Sequence, residues 1–188
     1  SFGPGPATHN RCTLGGTIGN NSCGVHSIMS GTTSNNIGSL DILTYDGTRM
    51  RVGRTSDEDL QRIIGEGGRR AEIYSRLDAL RKQYADLIRT RFPRLPRRVS
   101  GYNLEQLLPE NGFDVARALV GTESTCVMVL EAEGQLIYSP PIRTLLVIGF
   151  PDIYIGADLV PDILRFGPTA LEGIDDRLLL NVRQKDLH

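Results

Sequence analysis

The residues best suited to ligand chemistry lie in a glycine-rich segment that runs from Thr8 to Thr33. This segment contains five glycines among serine, threonine and asparagine residues. Glycine has no Cβ atom, so its backbone can approach a ligand closely, and successive N–H groups can point at one anion. The segment lacks the lysine-bearing pattern of a P-loop and the G-x-G-x-x-G pattern that opens a βαβ unit. It therefore indicates either a ligand-binding segment of another type or an ordinary surface loop.

The same segment offers a second chemistry through its histidines and cysteines. His9, Cys12, Cys23 and His26 form an H-x2-C…C-x2-H pattern, and two cysteines with two histidines can close a tetrahedral zinc site. However, the flanking residues are not those of a zinc knuckle, and a chain of this size can fold without a metal. We therefore expect no metal site and keep zinc binding as the alternative. The third cysteine, Cys126, is expected to pack in the core.

Composition narrows the classes of protein that carry these segments. The chain has 188 residues, 39% of them hydrophobic, and a formal net charge of −1. These values predict a folded core and argue against a nucleic-acid-binding or membrane-spanning protein. Three cysteines cannot form a fully paired disulfide framework, so we expect a reducing, cytoplasmic compartment, with attachment to the face of the inner membrane as the alternative.

The elements that must position the glycine-rich segment follow it in the sequence. Apolar residues over Ile37–Thr44 and Arg49–Val52 flank the turn residues Asp46 and Gly47, which predicts a β-hairpin. Ser56 precedes three acids and predicts the start of a helix that ends near Gly65. A longer helix is predicted over Arg70–Arg89, with one apolar stripe formed by Ile73, Leu77, Leu80, Tyr84 and Leu87.

The second half of the chain divides at two prolines. Arg89–Arg98 contains five arginines and two prolines. Such a run can bind phosphates, but we interpret it as a solvated linker because the rest of the chain shows no basic face. Beyond it we predict short helices over residues 103–108 and 113–120, and strands over residues 125–131 and 135–138. After Pro140 and Pro141 we predict a strand at 144–148, a helix at 151–166, a strand at 169–172 and a helix from Asp175, which together would open a second domain.

Three motifs together resemble one known family. The stretches TLGGTIGNNSCG, SGTTSNNIGSLDILTYDG and GTESTCVMVLEA are similar, in order and spacing over about residues 2–140, to the FAD-binding domain of FAD-linked oxidases. The resemblance is to the vanillyl-alcohol oxidase/PCMH superfamily, in its glycolate oxidase subunit and D-lactate dehydrogenase branch. It implies an α+β fold, with the second subdomain of a PCMH-type FAD-binding domain in residues 1–140. That subdomain is mostly an antiparallel sheet with flanking helices.

The resemblance also implies that the chain is a piece of a longer protein. Residues 141–188 would begin an α+β cap domain that carries the substrate site, and the subdomain with the main diphosphate loop would lie upstream of Ser1. The residues that the family uses in catalysis would lie beyond His188, so we assign no catalytic residue here. We expect the piece on its own to be inactive and to hold little FAD.

The family pattern also implies a set of cofactor-binding residues. Pro6 and Thr8 would lie near the flavin, and Glu123 with Val129 would face the adenosine part. The remaining positions would lie along the flavin and diphosphate, and they are Gly15, Gly16, Gly19, Asn20, Asn21, Ser22, Gly24, Gly31, Thr32 and Thr33. The chain departs from the pattern at several positions. Among these, it has Ser124 where the family has glycine, and Gly5 where the family has aspartate.

The function implied by the resemblance is FAD-dependent oxidation of a 2-hydroxy acid such as lactate or glycolate. Electrons would pass to an unidentified acceptor, for which a fused or partner iron–sulfur domain is one expectation. The alternative is a non-enzymatic nucleotide- or zinc-binding module that uses His9, Cys12, Cys23 and His26.

Overall fold

A small antiparallel sheet forms the centre of the computed structural model, which describes residues 1–186. Its strands are β1 (Ile37–Thr44), β2 (Arg49–Gly53) and β3 (Val127–Gly134), in the order β2-β1-β3. The predicted hairpin is confirmed, because β1 pairs with β2 from Ser39 opposite Gly53 to Leu43 opposite Arg49. β3 returns much later in the chain and pairs antiparallel with the other edge of β1.

Helices flank this sheet and also interrupt the glycine-rich segment. In chain order they are α1 (Leu14–Gly19), α2 (Ser27–Ser30), α3 (Asp57–Glu66), α4 (Gly68–Arg91), α5 (Val115–Leu119), α6 (Ile153–Asp158), α7 (Val160–Leu164) and α8 (Asp176–Gln184). Short 3-10 turns lie at Ser34–Asn36, Leu104–Leu107 and Pro109–Asn111. The α+β class is therefore confirmed. In the part of the chain that is described, no helix has both the length and the apolar character to cross a membrane.

One hydrophobic core joins the sheet to the helices on its inner face. Leu40 and Ile42 of β1 contribute to it together with Leu60 of α3, Tyr74 of α4 and Phe113 of the segment before α5. The glycine-rich segment is fixed to the same core because Ile18 of α1 is fully buried in it. Cys126, predicted as a core residue, is half-buried and packs against this cluster.

The long helix α4 is confirmed, but the face it buries differs from the prediction. Ile73, Leu77 and Leu80 of the predicted stripe pack against the core, whereas Tyr84 and Leu87 remain exposed. The buried positions instead include Tyr74, Asp78, Arg81 and Ile88. The guanidinium of Arg81 lies 4.6 Å from the ring centre of Phe113. At this position of α4, the buried guanidinium of Arg81 packs over the ring of Phe113, where the apolar periodicity predicts contacts between apolar side chains.

Residues 135–186 depart most from the sequence prediction. Residues 135–138 form one isolated bridge, between Leu136 and Phe2, rather than a strand. The predicted strands at 144–148 and 169–172 are wrong, since the structure assigns no strand to these residues. The predicted helix over 151–166 is split into α6 and α7 at Leu159, just before Pro161, which fits only the first turn of a new helix. Helix α8 is confirmed.

Candidate functional site

Helix α1 presents glycine backbone on the molecular surface. The side-chain oxygen of Thr13 accepts a hydrogen bond from the N–H of Gly16 at 3.1 Å and so caps the helix. Ile18 turns into the core, which leaves Leu14, Gly15 and Gly16 exposed. A Cβ atom added at Gly15 would meet no heavy atom within 4 Å. The outer face of α1 is thus open to close approach by another molecule.

The chain after α1 is joined to the segment that precedes β1. Asn21 is buried, with a positive φ of 48°, and its side-chain carbonyl accepts a hydrogen bond from the N–H of Ser34 at 2.9 Å. The carbonyl of Ser22 accepts two hydrogen bonds from Thr33, from its N–H at 3.1 Å and from its hydroxyl at 2.7 Å. These bonds hold the two halves of the glycine-rich segment together as one layer.

Two glycines allow that layer to close. A Cβ atom at Gly24 would lie 2.1 Å from the carbonyl oxygen of Gly5, so the two backbones touch at a distance that no side chain permits. Gly31 has a φ of 69°, and a Cβ atom there would lie 2.5 Å from the side-chain oxygen of Asn35. Gly24 and Gly31 therefore allow close packing within the layer, whereas Gly15 is exposed on its surface.

The turn before β3 lies directly against α1. The N–H of Gly121 donates to the carbonyl of Ile18 at 2.9 Å, and the N–H of Glu123 donates to the carbonyl of Gly19 at 3.0 Å. The hydroxyls of Tyr45 and Tyr102 also bind this turn, at Ser124 and Thr125 respectively. Segments that are distant in sequence, around Gly19 and around Glu123, therefore form one continuous surface.

The predicted site residues fall into two groups on this surface. Thr8, Gly15, Gly16, Asn20 and Glu123 are exposed, and Pro6, Gly19, Ser22, Gly24 and Gly31 are half-buried. Asn21, Thr32 and Thr33 are buried and bind the protein's own backbone or side chains. Val129 packs half-buried against the core from β3. The first group is able to contact a ligand, and the buried residues support the surface from below.

The alternative zinc site is not assembled. Among residues 1–186, no group of three or more His, Cys, Asp or Glu side chains is placed to hold a metal ion. The Nδ1 atom of His26 lies 3.3 Å from the carbonyl oxygen of Thr169. The thiol of Cys23 lies 3.4 Å from a guanidinium nitrogen of Arg97. The four residues of the H-x2-C…C-x2-H pattern therefore do not form a ligand set.

Two cavities lie beside the glycine-rich surface. One, of about 890 Å³, is a groove between the C-terminal half of α4 and residues 92–104. The other, of about 310 Å³, includes Thr32, Asn35 and Arg94. Neither cavity was predicted from the sequence, in which the arginine-rich run 89–98 indicates a solvated linker. The signal was present in the apolar stripe of α4, whose last members find no core to pack against.

Charge pairing fixes the end of α4 beside these cavities. The guanidinium of Arg89 donates to the carboxylate of Glu110 at 2.8 Å. This hydrogen bond lowers the pKa of Glu110 to about 2. The pair therefore joins the last turns of α4 to the 3-10 turn at Pro109–Asn111 at any pH above that value.

Comparison with known proteins gives a family match for the glycine-rich segment. Residues 1–53 match the family model of the FAD binding domain. Over these residues the chain is similar to an FAD-binding domain. FAD is the cofactor of that domain, so the predicted cofactor and the resemblance to FAD-linked oxidases are confirmed. The match ends at the last residue of β2 and thus covers α1, α2 and the hairpin.

Curated relatives extend the similarity beyond the FAD-binding match. The chain is 27% identical over 187 residues to D-2-hydroxyglutarate dehydrogenase of Pseudomonas putida. It is 27% identical over 191 residues to the protein of that name in Pantoea ananatis and 25% identical over 189 residues to that of Escherichia coli. Each alignment covers 99% of this chain but only 18% of the relative. No solved structure matches the chain.

Proposed function

We propose that this chain supplies one wall of the FAD site in a flavin-dependent dehydrogenase that oxidises a 2-hydroxy acid. The observation that carries the proposal is the surface formed by α1 and the turn at Glu123. The family resemblance gives these two segments to different parts of one cofactor, and the hydrogen bonds from Gly121 and Glu123 to α1 make them neighbours. A dinucleotide is long enough to contact both segments at once.

The wall would act through shape and backbone rather than through charge. Gly15 and Gly16 offer exposed backbone without side-chain bulk, and Asn20 and Glu123 flank them with polar side chains. Asn21, Thr32 and Thr33 would act indirectly, because their hydrogen bonds fix the backbone that carries the exposed residues. When bound, FAD would take up the two electrons removed from the hydroxy acid. The role of these residues is to hold and orient it.

The substrate class follows from the relatives rather than from the surface. The curated relatives are dehydrogenases of D-2-hydroxyglutarate, so we propose a 2-hydroxy acid and rank 2-hydroxyglutarate ahead of lactate and glycolate. We further propose that residues 141–188 open a cap domain, and that the electron acceptor is a separate or fused iron–sulfur domain. Assays of the whole protein with D-2-hydroxyglutarate, D-lactate and glycolate test the substrate. If the whole protein reduces an artificial electron acceptor with none of these three substrates, the proposed class of 2-hydroxy-acid dehydrogenase is wrong.

The FAD wall has a direct test at Gly15. A Gly15→Ala variant adds a methyl group to open space, so the fold should keep its stability or gain up to about 1 kcal/mol from the better helix former. If FAD lies against this backbone, the same methyl should weaken FAD binding about tenfold, because an inserted methyl in a close contact costs 1–3 kcal/mol. Binding is measured by flavin fluorescence quenching in the whole protein.

The matched control is Gly65→Ala. Gly65 lies in α3, and a Cβ atom there also meets nothing within 4 Å. This variant should leave FAD affinity unchanged. Equal affinities for both variants and the parent would show that the cofactor does not lie on the outer face of α1.

A further inference from the structure

The turn before β3 is held in a conformation that its own residues disfavour. The N–H and the hydroxyl of Thr125 both donate to the carbonyl of Thr122, at 2.9 and 2.5 Å, and so close a four-residue turn. The two residues between them, Glu123 and Ser124, have φ values of 51° and 59°. Turns with two positive φ values normally carry glycine, asparagine or aspartate, because a Cβ atom in this region crowds the following carbonyl oxygen. Contacts from outside the turn must therefore maintain its shape.

Two tyrosine hydroxyls supply such contacts. Tyr45, which directly follows β1, donates to the carbonyl of Ser124. The hydroxyl of Tyr102 lies 2.6 Å from the hydroxyl of Thr125. Since Thr125 donates its single hydroxyl hydrogen to Thr122, Tyr102 is the donor in this second contact. Hydrogen bonds that follow one another in such a chain strengthen each other. The two tyrosines therefore fix the second half of the turn.

The residue after Tyr102 fixes the start of the turn. Asn103 is 2% exposed, and its side-chain amide donates to the carbonyl of Val120 at 2.8 Å. Val120 is followed directly by Gly121, whose N–H donates to the carbonyl of Ile18 in α1. Two consecutive residues, Tyr102 and Asn103, thus hold the turn at both of its ends.

From these contacts we infer that Tyr45 and Tyr102 are positioning residues of the FAD site, which raise its affinity for FAD by holding this turn in one shape. The inference rests on the proposed function, in which the turn at Glu123 faces the adenosine part of FAD. Glu123 is exposed, whereas the two hydroxyls bind the next two residues, Ser124 and Thr125. A cofactor that fits one shape of a turn binds more weakly when that shape is populated only part of the time.

FAD titration of the whole protein, followed by flavin fluorescence quenching, measures this contribution. Tyr102→Phe removes only the hydroxyl of a side chain that is 44% exposed. It should weaken FAD binding about threefold, and Tyr45→Phe should do the same, since each removes one hydrogen bond from the turn. The variant that combines both changes should lose about tenfold in affinity.

Tyr84→Phe is the matched control. Tyr84 is 43% exposed, and its hydroxyl binds the side chain of Gln83 on α4 rather than the turn. This variant should bind FAD as tightly as the parent. Equal losses of affinity in Tyr84→Phe and Tyr102→Phe would overturn the inference.

Ser124→Gly separates a positioning role from a general loss of stability. Glycine adopts a positive φ without strain, so a turn with glycine at this position needs fewer external contacts to keep its shape. Adding Ser124→Gly to the double tyrosine variant should therefore restore FAD affinity to within about twofold of the parent. If the affinity is not restored, the tyrosines do not act by holding the strained turn, and the inference is wrong.

Gly15→Ala distinguishes a failure of this inference from a failure of the proposed FAD wall. If Gly15→Ala weakens FAD binding and the double tyrosine variant does not, the wall stands, the tyrosines are purely structural and the inference is wrong. If neither variant changes FAD affinity, the cofactor does not lie on this surface, and the proposed wall and the inference are both wrong.

Discussion

Ser124 shows how a single residue can be held in a conformation that its side chain disfavours. Its φ is 59°, in the left-handed region where a residue with a Cβ atom pays about 1–2 kcal/mol. The neighbouring Tyr45 and Tyr102 hold the turn in place through Ser124 and Thr125. The family that the chain resembles has glycine at this position, which adopts the same conformation without strain.

Replacing Ser124 with glycine should therefore stabilise the fold. We expect Ser124→Gly to raise the free energy of unfolding by about 1 kcal/mol, because relief of strain exceeds the added entropy of the unfolded glycine. Urea denaturation measures the change. Ser100→Gly, at an exposed position without a positive φ, is the control and should be neutral or slightly destabilising. A loss of stability in Ser124→Gly would mean that the serine side chain makes a compensating contact.

Asp114 gives a residue-scale prediction that depends on pH. It is buried, and its carboxylate caps α5 by accepting a hydrogen bond from the N–H of Arg117. Burial raises the pKa of Asp114, and the N–H and charge of Arg117 together with Arg54 offset this only in part. Folding therefore favours the protonated carboxyl, so the stability that Asp114 contributes is lost as pH rises through its raised pKa.

An Asp114→Asn variant keeps the cap but removes this cost. It should gain stability relative to the parent at pH 7 and lose that advantage near pH 3, as measured by urea denaturation at both values. Asp175→Asn, at the exposed cap of α8, should show no comparable gain. A variant of Asp114 that is less stable than the parent at pH 7 would show that the ionised form is needed for the arginine contacts.

At the scale of elements, α4 is fixed to the core by a buried ion pair. Asp78 accepts hydrogen bonds from Arg81 at 2.8 Å and from Lys82 at 2.7 Å. Burial alone would raise the pKa of Asp78, but the hydrogen bonds from Lys82 and Arg81 outweigh it and lower the pKa. The carboxylate therefore contributes stability that is present above pH 4 and is lost as pH falls through its lowered pKa.

Removing that carboxylate should loosen α4. We expect Asp78→Asn to cost about 3 kcal/mol at pH 7, since it leaves the buried Arg81 with only the exposed carboxylate of Asp57 as a charge partner. The difference from the parent should shrink at the acid end of a pH series of urea denaturations. Asp86→Asn on the same helix should change stability by less than about 0.5 kcal/mol, because Asp86 is fully exposed. Similar losses in the two variants would indicate a general effect of charge on the helix.

Local signals explain which elements the sequence predicted. The hairpin, α3 and α4 carry their own turn residues, cap residues and period, and all three were predicted within a few residues of their bounds. α1 and α2 were missed because their glycine and serine composition resembles that of a loop, and the buried residues of α1 are Thr17 and Ile18, of which one is apolar. Residues 144–148 have strand composition, but a strand requires a partner for its backbone, and in the described chain these residues pair with none of the three strands.

The membership of the candidate site stays a prediction from the sequence, and the structure adds which of its residues are exposed and which are buried. Glycine content located the segment, and motif resemblance added the distant turn at Glu123. Sequence alone could not separate the exposed Gly15 from the buried Thr33. The exposure of Gly15 depends on which face of α1 packs on the core, and Thr33 is buried where it donates two hydrogen bonds to the carbonyl of Ser22. It also gave no indication that Tyr45 and Tyr102 fix the turn, since both contacts join segments distant in sequence.

At the scale of the whole molecule, the chain consists of one packed region and one loosely attached region. The termini of the packed region are tied together, since Ser1 and Ile137 exchange two backbone hydrogen bonds at 3.0 and 2.8 Å and Phe2 bridges to Leu136. In the described chain, the single hydrogen bond from residues 141–186 to residues 1–134 is that between His26 and Thr169. Few contacts across a proline-bearing junction are typical of a domain boundary.

Truncation experiments follow from this asymmetry. A chain that ends after Pro140 should keep the stability of the parent within about 0.5 kcal/mol, because it loses mainly exposed residues. A chain that ends after Gly134 should lose roughly 1–3 kcal/mol, since it also loses the hydrogen bonds to Ser1 and the packing of Leu136 against Phe2. Urea denaturation of the three chains compares them. If removal of residues 141–188 costs as much stability as removal of residues 135–188, residues 141–188 fold with the rest of the chain, and the proposed boundary after Pro140 is wrong.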